Sequence, residues 1–265
     1  MASLGKTLQP IANAIWRANR SAKRAFPNNP FTNGVRSFYS NDVNRLLNGW
    51  TVQSQTIDSY LLNDLTSLRA RSRELARTNT HYKRYLKLVE SNIVGDKGFQ
   101  VQARLKKSNG EVDSKANDSI EAAFKDWAKR DCDYNGRLQF VDMQTLLVKN
   151  ASQDGEFVAR VYEGSGYGKY GFRIEILDAE TLDINKNEET SNGNVIRLGI
   201  EYNKYGRPVK YWFREADING NYNTGMSYSV DGRYIIHGFL SEYTNQSRGI
   251  PWGHASFEAL KMLDN

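Results

Sequence analysis

The sequence has 265 residues with 36 Lys and Arg against 30 Asp and Glu, a net charge of +6, and that length bounds one large domain or two small ones. Residues 1–50 hold seven basic side chains, Lys6, Arg17, Arg20, Lys23, Arg24, Arg36 and Arg45, against Asp42 alone, which leaves 29 charges of each sign in residues 51–265. The positive charge thus describes an N-terminal arm attached to a neutral body, and it does not imply a body-wide nucleic-acid surface.

Residues 1–57 carry that charge, the N-N-P-F-T-N-G stretch from Asn28 to Gly34, and little periodicity beyond Ile11, Ile15 and Trp16. They read as a flexible arm or as an ordered arm packed on a neighbouring subunit. From Ser59 the pattern changes: Leu61, Leu65, Leu68, Ser72, Leu75, Asn79, Tyr82, Leu86 and Val89 alternate at spacings of four and three, which predicts one long helix ending near Gly95. Arg69, Arg71, Arg73, Arg77, Lys83, Arg84 and Lys87 occupy its other faces, as a solvated surface or as a contact for an acidic partner or phosphate. Phe99, Val101, Ala103 and Leu105 then alternate as in a strand.

Asn117 or Asp118 is expected to cap a second helix carrying Ile120, Phe124 and Trp127, and a third spans roughly Val141 to Gln153. Beyond Gly155 the period becomes two. Strands are expected at Glu156 to Tyr162, Phe172 to Leu177, Ile196 to Tyr202, Pro208 to Arg214 and Tyr234 to Leu240, with a hairpin at Asn203 to Gly206 and a last helix from Gly253. Strands that follow one another without helices between them imply antiparallel pairing, so the fold class is α+β, helices first and then a mainly antiparallel sheet.

Little here supports catalysis. There is no G-x-x-x-x-G-K-[ST] phosphate cradle, and Gly164, Gly166, Gly168 and Gly171 fit a hairpin loop better than a dinucleotide site. His81, His237 and His254 are scattered and Cys132 is the single cysteine, which argues against zinc and against an internal disulfide, and fits assembly in a reducing cytosol. Asp183, Asn185 and Asn187, like Asp217, Asn219 and Asn221, open as calcium loops do but lack the glycine and the bidentate Glu that follow. Asp154 and Glu156 flank Gly155, yet both can equally face solvent. The expectation is no enzyme, no cofactor, no metal and no membrane span.

Several local motifs do match a family in order and spacing. They are R-A-R-S-R-E-L-A-R-T-N (Arg69 to Asn79), V-E-S-N-I-V-G-D-K-G-F-Q-V-Q (Val89 to Gln102), D-G-E-F (Asp154 to Phe157), I-E-I-L-D-A-E-T-L-D (Ile174 to Asp183), G-I-E-Y-N-K-Y-G-R-P-V-K-Y-W (Gly199 to Trp212), I-I-H-G-F (Ile235 to Phe239) and N-Q-S-R-G-I-P-W (Asn245 to Trp252). Together they resemble the wing region of lambda-type portal proteins of tailed bacteriophages. The resemblance implies a ring, dodecameric in that family, at one vertex of the virion, assembled in the host cytoplasm. Double-stranded DNA passes through it during packaging and ejection, and its partners are the major capsid protein, the terminase and head-completion proteins.

On this reading residues 1–57 are the arm, 58–252 a wing-like body, and 253–265 the start of a helix leading to a stem that is absent here, so the chain is either an N-terminal fragment or a split or degraded gene product. The alternative class is a basic-armed nucleic-acid-binding protein. Candidate interface or structural residues are Arg69, Arg71, Arg73, Arg77, Gly155, Gln246, Arg248 and Gly249. Arg248 can fork onto a carboxylate of the same or an adjacent subunit, Gln246 can serve backbone edges of its turn, and Gly155 allows a sharp exit from helix to strand. Arg17, Arg20, Lys23 and Arg24 are candidate arm contacts to DNA or shell.

Overall fold

A computed structural model describes residues 55–217 and 221–263, which belong to one compact unit. Residues 1–54 of the arm, with its candidate residues, lie outside the described residues, and Ile57, counted with the arm, opens the first helix. Helix α1 (Ile57–Thr78) places Leu61 and Leu65 against Ile184, Leu198 and Ile250. Helix α2 (Thr80–Ile93) continues the same apolar stripe, with Tyr82 and Leu86 packed beside Leu75 of α1 and Phe257.

The single long helix expected over this stretch is two helices broken at Asn79. Its backbone is extended, at φ −94° and ψ 121°, and its side-chain oxygen accepts from the Tyr82 N–H at 2.8 Å while its amide donates to the Leu260 carbonyl at 3.0 Å. An asparagine on the apolar stripe preserves the spacing while supplying a cap for a fresh helix. Replacing Asn79 with Ala is expected to cost about 1–2 kcal/mol in chemical denaturation, because a buried cap and a second hydrogen bond are lost together.

Helix α3 (Ser114–Trp127) begins one turn earlier than expected. Asp113 is the cap and accepts from the Ala116 N–H, while the buried Asn117 faces the preceding segment, accepting from the Leu105 N–H at 2.8 Å. Helix α4 (Phe140–Asp154) opens on a capping box of Gln139 and Asp142 and ends at Gly155, whose φ of 90° is left-handed. Between α3 and α4, Trp127, Cys132 and Met143 form a cluster flanked by Phe140 and Phe172. Burial pushes the Cys132 thiol up to about 11, so native protein should react with a neutral-pH thiol reagent far more slowly than denatured protein.

Two antiparallel sheets follow. The first has the order β2-β1-β8, with β1 (Glu156–Glu163) between β2 (Phe172–Leu177) and β8 (Ile235–Phe239). The second runs β3 (Glu188–Glu189), β4 (Val195–Arg197), β5 (Ile200–Tyr202), β6 (Pro208–Ala216) and β7 (Tyr222–Asp231). The expected strand over Ile196 to Tyr202 is split by a turn at Leu198 and Gly199, with φ of 49° and 83°. A Cβ on Gly199 would lie 2.7 Å from the Asp183 carbonyl oxygen, so the turn presses backbone on backbone. The hairpin at Asn203 to Gly206 forms as expected, joining β5 to β6.

Strand β7 was not anticipated, and the strand expected over Phe99 to Leu105 has no strand partner among the described residues. The core lies between the sheets, where Val158 and Ile235 meet Ile200, Tyr211, Phe213 and Val230. A short 3-10 turn, His254–Ser256, leads into α5 (Phe257–Met262). The architecture is α+β, helices first and then antiparallel sheets.

Candidate functional site

The densest polar site in the described residues is built on Glu156, the first residue of β1, which is 0% exposed. The left-handed turn at Gly155 swings the chain from α4 into the strand and aims this carboxylate inward. One oxygen, Oε1, accepts from Arg69 Nη2 at 2.7 Å and from Arg248 Nε and Nη2 at 2.8 and 2.6 Å. The other, Oε2, accepts from the Gly249 N–H at 2.8 Å and lies 3.1 Å from His237 Nε2. Because an ionised carboxylate only accepts, His237 Nε2 carries the proton in this contact.

The two guanidinium groups spend their remaining donors on backbone carbonyls. Arg69 reaches the oxygens of Asp154 and Ala179, and the fully buried Arg248 reaches those of Leu198 and Ala179. Burial alone would raise the Glu156 pKa, but the Arg248 and Arg69 charges, helped by His237, hold it well below the usual carboxylate range. Burial pulls the Arg69 guanidinium down from its ordinary value while Glu156 pushes back. The group remains charged, as arginine does in folded proteins.

A second layer is centred on Arg73, one turn along α1. It grips Asp154 bidentately at 2.8 and 2.9 Å, bonds Asp178 at 2.6 Å and pairs with Glu180 at 3.2 Å. Burial works against the Arg73 charge, yet the hydrogen bonds to Asp154 and Asp178 win and raise its pKa. Nearby, Ser72 donates to the Gln153 carbonyl and shares a hydrogen bond with the Tyr82 hydroxyl. Thus α1, the α4–β1 junction, the turn at Asp178–Glu180, β8 and the loop at 248–249 are tied by charge-assisted bonds.

The loop that carries Arg248 is itself fixed. Gln246 accepts from the N–H groups of Glu242 and Tyr243 and donates to the Arg248 carbonyl. Ser247 donates through its backbone and hydroxyl to Asp58 at 2.9 and 2.6 Å. Gly155 and Gly249 lie in backbone contact, with no room for a Cβ on either.

The structure therefore brings Arg69, Arg73, Gly155, Gln246, Arg248 and Gly249 into one neighbourhood and leaves Arg71 and Arg77 exposed. Arg69 does not belong to a solvated face: it is 3% exposed. Arg248 uses the first of its two expected options, a carboxylate of its own chain. Asp154 and Glu156 do not face solvent; both are buried as arginine partners. Asp178, not singled out from the sequence, and His237, named there only among the scattered histidines, complete the cluster; both lie inside quoted motifs, I-E-I-L-D-A-E-T-L-D and I-I-H-G-F. Among the described residues no group of three or more His, Cys, Asp and Glu is arranged to hold a metal.

Every polar contact of Glu156 is a donor from the protein, and the carboxylate has no exposed surface from which to meet a substrate. Such a centre is a structural cross-link, its charges joining segments distant in sequence. Residues 43–265 match the phage portal protein, lambda family, and the chain belongs to that family. It is 30% identical over 236 residues to the "Probable portal protein" of Halomonas phage phiHAP-1, covering 87% of this chain and 45% of that protein. It is 26% identical over 231 residues to "Portal protein B" of Escherichia phage lambda, covering 82% and 43% respectively. The chain thus spans a little under half the length of these relatives.

Proposed function

We propose that the protein serves as a portal: copies form a ring, twelve by the family resemblance, at the head vertex of a phage. Double-stranded DNA passes through the ring during packaging and ejection. In this reading residues 58–252 are the wing-like body, 253–265 lead toward a stem, and 1–57 are a tether. Arg17, Arg20, Lys23 and Arg24 of the tether contact shell or DNA. The major capsid protein, the terminase and head-completion proteins are the partners, and the role is structural, without catalysis or cofactor.

The observation that carries the reading is the family match over residues 43–265. The ion-locked body supports it, since a ring that transmits force from a motor needs rigid subunits. Arg71 and Arg77, both exposed on α1, are proposed as contacts to the neighbouring subunit.

Negative-stain electron microscopy of the full-length protein is expected to show rings. Uniform monomers at micromolar concentration would reject the reading. Binding to free duplex DNA is expected to be weak. Tight, strongly salt-dependent binding that vanishes when residues 1–50 are deleted would instead place the protein among nucleic-acid binders.

A further inference from the structure

The segment from Phe99 to Leu105 has the alternation of a strand but pairs with none, and the way its backbone is held divides it into two edges. Phe99 donates its N–H to Gln144 Oε1 and accepts from Gln144 Nε2, both from α4. Ala103 donates to Glu121 Oε1, and Leu105 exchanges both of its backbone groups with the Asn117 side chain, both partners on α3. Side chains of two helices thus stand in for a neighbouring strand at Phe99, Ala103 and Leu105 of the odd-numbered edge, while Val101 between them has no backbone partner among the described residues. Gly98, at φ 63°, allows the close approach to Gln144 that starts this arrangement.

The opposite edge is open among the described residues. The backbone groups of Gln100, Gln102 and Arg104 make no hydrogen bond to any described residue. A strand whose two edges differ in this way presents a row of donors and acceptors that natural proteins usually blunt with proline, a bulge or a covering element.

The side chains on this segment are also uncovered. Phe99 is 58% exposed, Val101 45% and Leu105 48%. Phe99 borders an apolar cleft of about 460 Å³ whose walls include Ile93, Leu147, Val148, Phe239 and Leu240. Ile93 and Leu240, at 41% and 56%, extend the patch.

We infer that this open edge and the cleft beside it are a docking surface for a second copy of the chain, which adds an extended segment alongside residues 99–105. The five half-exposed side chains leave on the order of 400 Å² of apolar surface, the apolar share of the roughly 800 Å² that each partner contributes to a standard interface. Phe, Val and Leu at alternate positions are what a β-strand partner covers, whereas a phosphate backbone would call for cations there. A second copy also meets little net repulsion, because residues 51–265 carry 29 charges of each sign. The inference locates one contact of the self-assembly proposed above and rests on that reading.

Sedimentation velocity of the whole chain tests it with three variants. Val101→Lys places a charge on the apolar face, and Gln102→Pro removes one outward N–H that has no partner within the chain. Tyr205→Lys, at a position 75% exposed in the β5–β6 turn, is the control. The first two are expected to weaken self-association at least tenfold while far-UV circular dichroism and thermal midpoint stay at wild-type values, and the control is expected to assemble normally. If wild type assembles and Val101→Lys and Gln102→Pro assemble equally well, the docking surface is wrong and the ring reading stands. A monomeric wild type rejects both. Capture of a duplex oligonucleotide, lost in Gln102→Pro while self-association is unchanged, assigns the edge to nucleic acid and overturns the inference.

Discussion

Replacing Glu156 with Gln is expected to lower the unfolding free energy by about 3–5 kcal/mol at neutral pH, measured by urea or guanidinium denaturation. The substitution keeps the shape and removes the charge, leaving the Arg69 and Arg248 guanidinium groups buried with no ionised partner at the centre. All five contacts of the wild-type carboxylate are donors, so the new amide NH₂ faces either the two guanidinium groups or the Gly249 N–H and His237. Neither orientation satisfies every group, and His237 can adapt only by exchanging its tautomer. For a domain with the usual 5–15 kcal/mol of stability, that is a large fraction of the whole.

The same carboxylate sets a pH dependence with a definite sign. Its folded pKa lies well below its ordinary value of 4.5, so its contribution is fully present above that value and is lost as pH falls through the depressed folded pKa. Wild type should therefore lose stability steeply in acid, below pH about 4.5, while the Gln variant lacks this component of the slope. The stability gap between the two is expected to be widest at neutral pH and to narrow as the solution is acidified. A gap that widened in acid would mean that Glu156 is not the ionised centre of the cluster.

Local patterns were legible where neighbours in sequence determine the outcome. The period of two after Gly155 placed β2 at Phe172–Leu177 as observed, and the turn residues Asn203 to Gly206 placed the β5–β6 hairpin. The break at Asn79 was hidden because an asparagine on the apolar stripe satisfies helical spacing whether it continues a helix or caps the next one. Strand β7 was hidden because Met226 and Tyr228, 62% and 41% exposed, are interspersed with polar and small residues that resemble a turn. Arg69, Glu156 and Arg248 were each visible inside a motif, but their pairing spans 87 and 92 residues. No helical or strand period reaches across such distances, and only the packing of α1 on the α4–β1 junction brings the three together.

That packing depends on two glycines, and removing either is expected to have an effect as large as that of Glu156→Gln. A Cβ on Gly249 would overlap the Gly155 carbonyl and lie 2.8 Å from Phe239 Cβ. A Cβ on Gly155 would come within 2.5 Å of the Ile250 nitrogen and 2.6 Å of the Gly249 carbonyl carbon, at a φ of 90° that L side chains rarely adopt. The obstacles are mainly backbone atoms, so no rotamer change relieves them, and the segments must separate. Separation stretches the 2.8 Å bond from the Gly249 N–H to Glu156 and draws the adjacent Arg248 away from the same carboxylate. Overpacking of about 1–3 kcal/mol therefore adds to partial loss of the buried ion cluster, and Gly249→Ala is expected to lose about 4 kcal/mol or fail to accumulate as folded protein. Gly206→Ala provides the calibration: its φ is 75°, but a Cβ there meets nothing within 4 Å, so it should cost only the left-handed penalty of about 1 kcal/mol. Equal losses for Gly206→Ala and Gly249→Ala in parallel denaturation curves would show that backbone angle, and not the close approach beneath Glu156, is what these glycines provide.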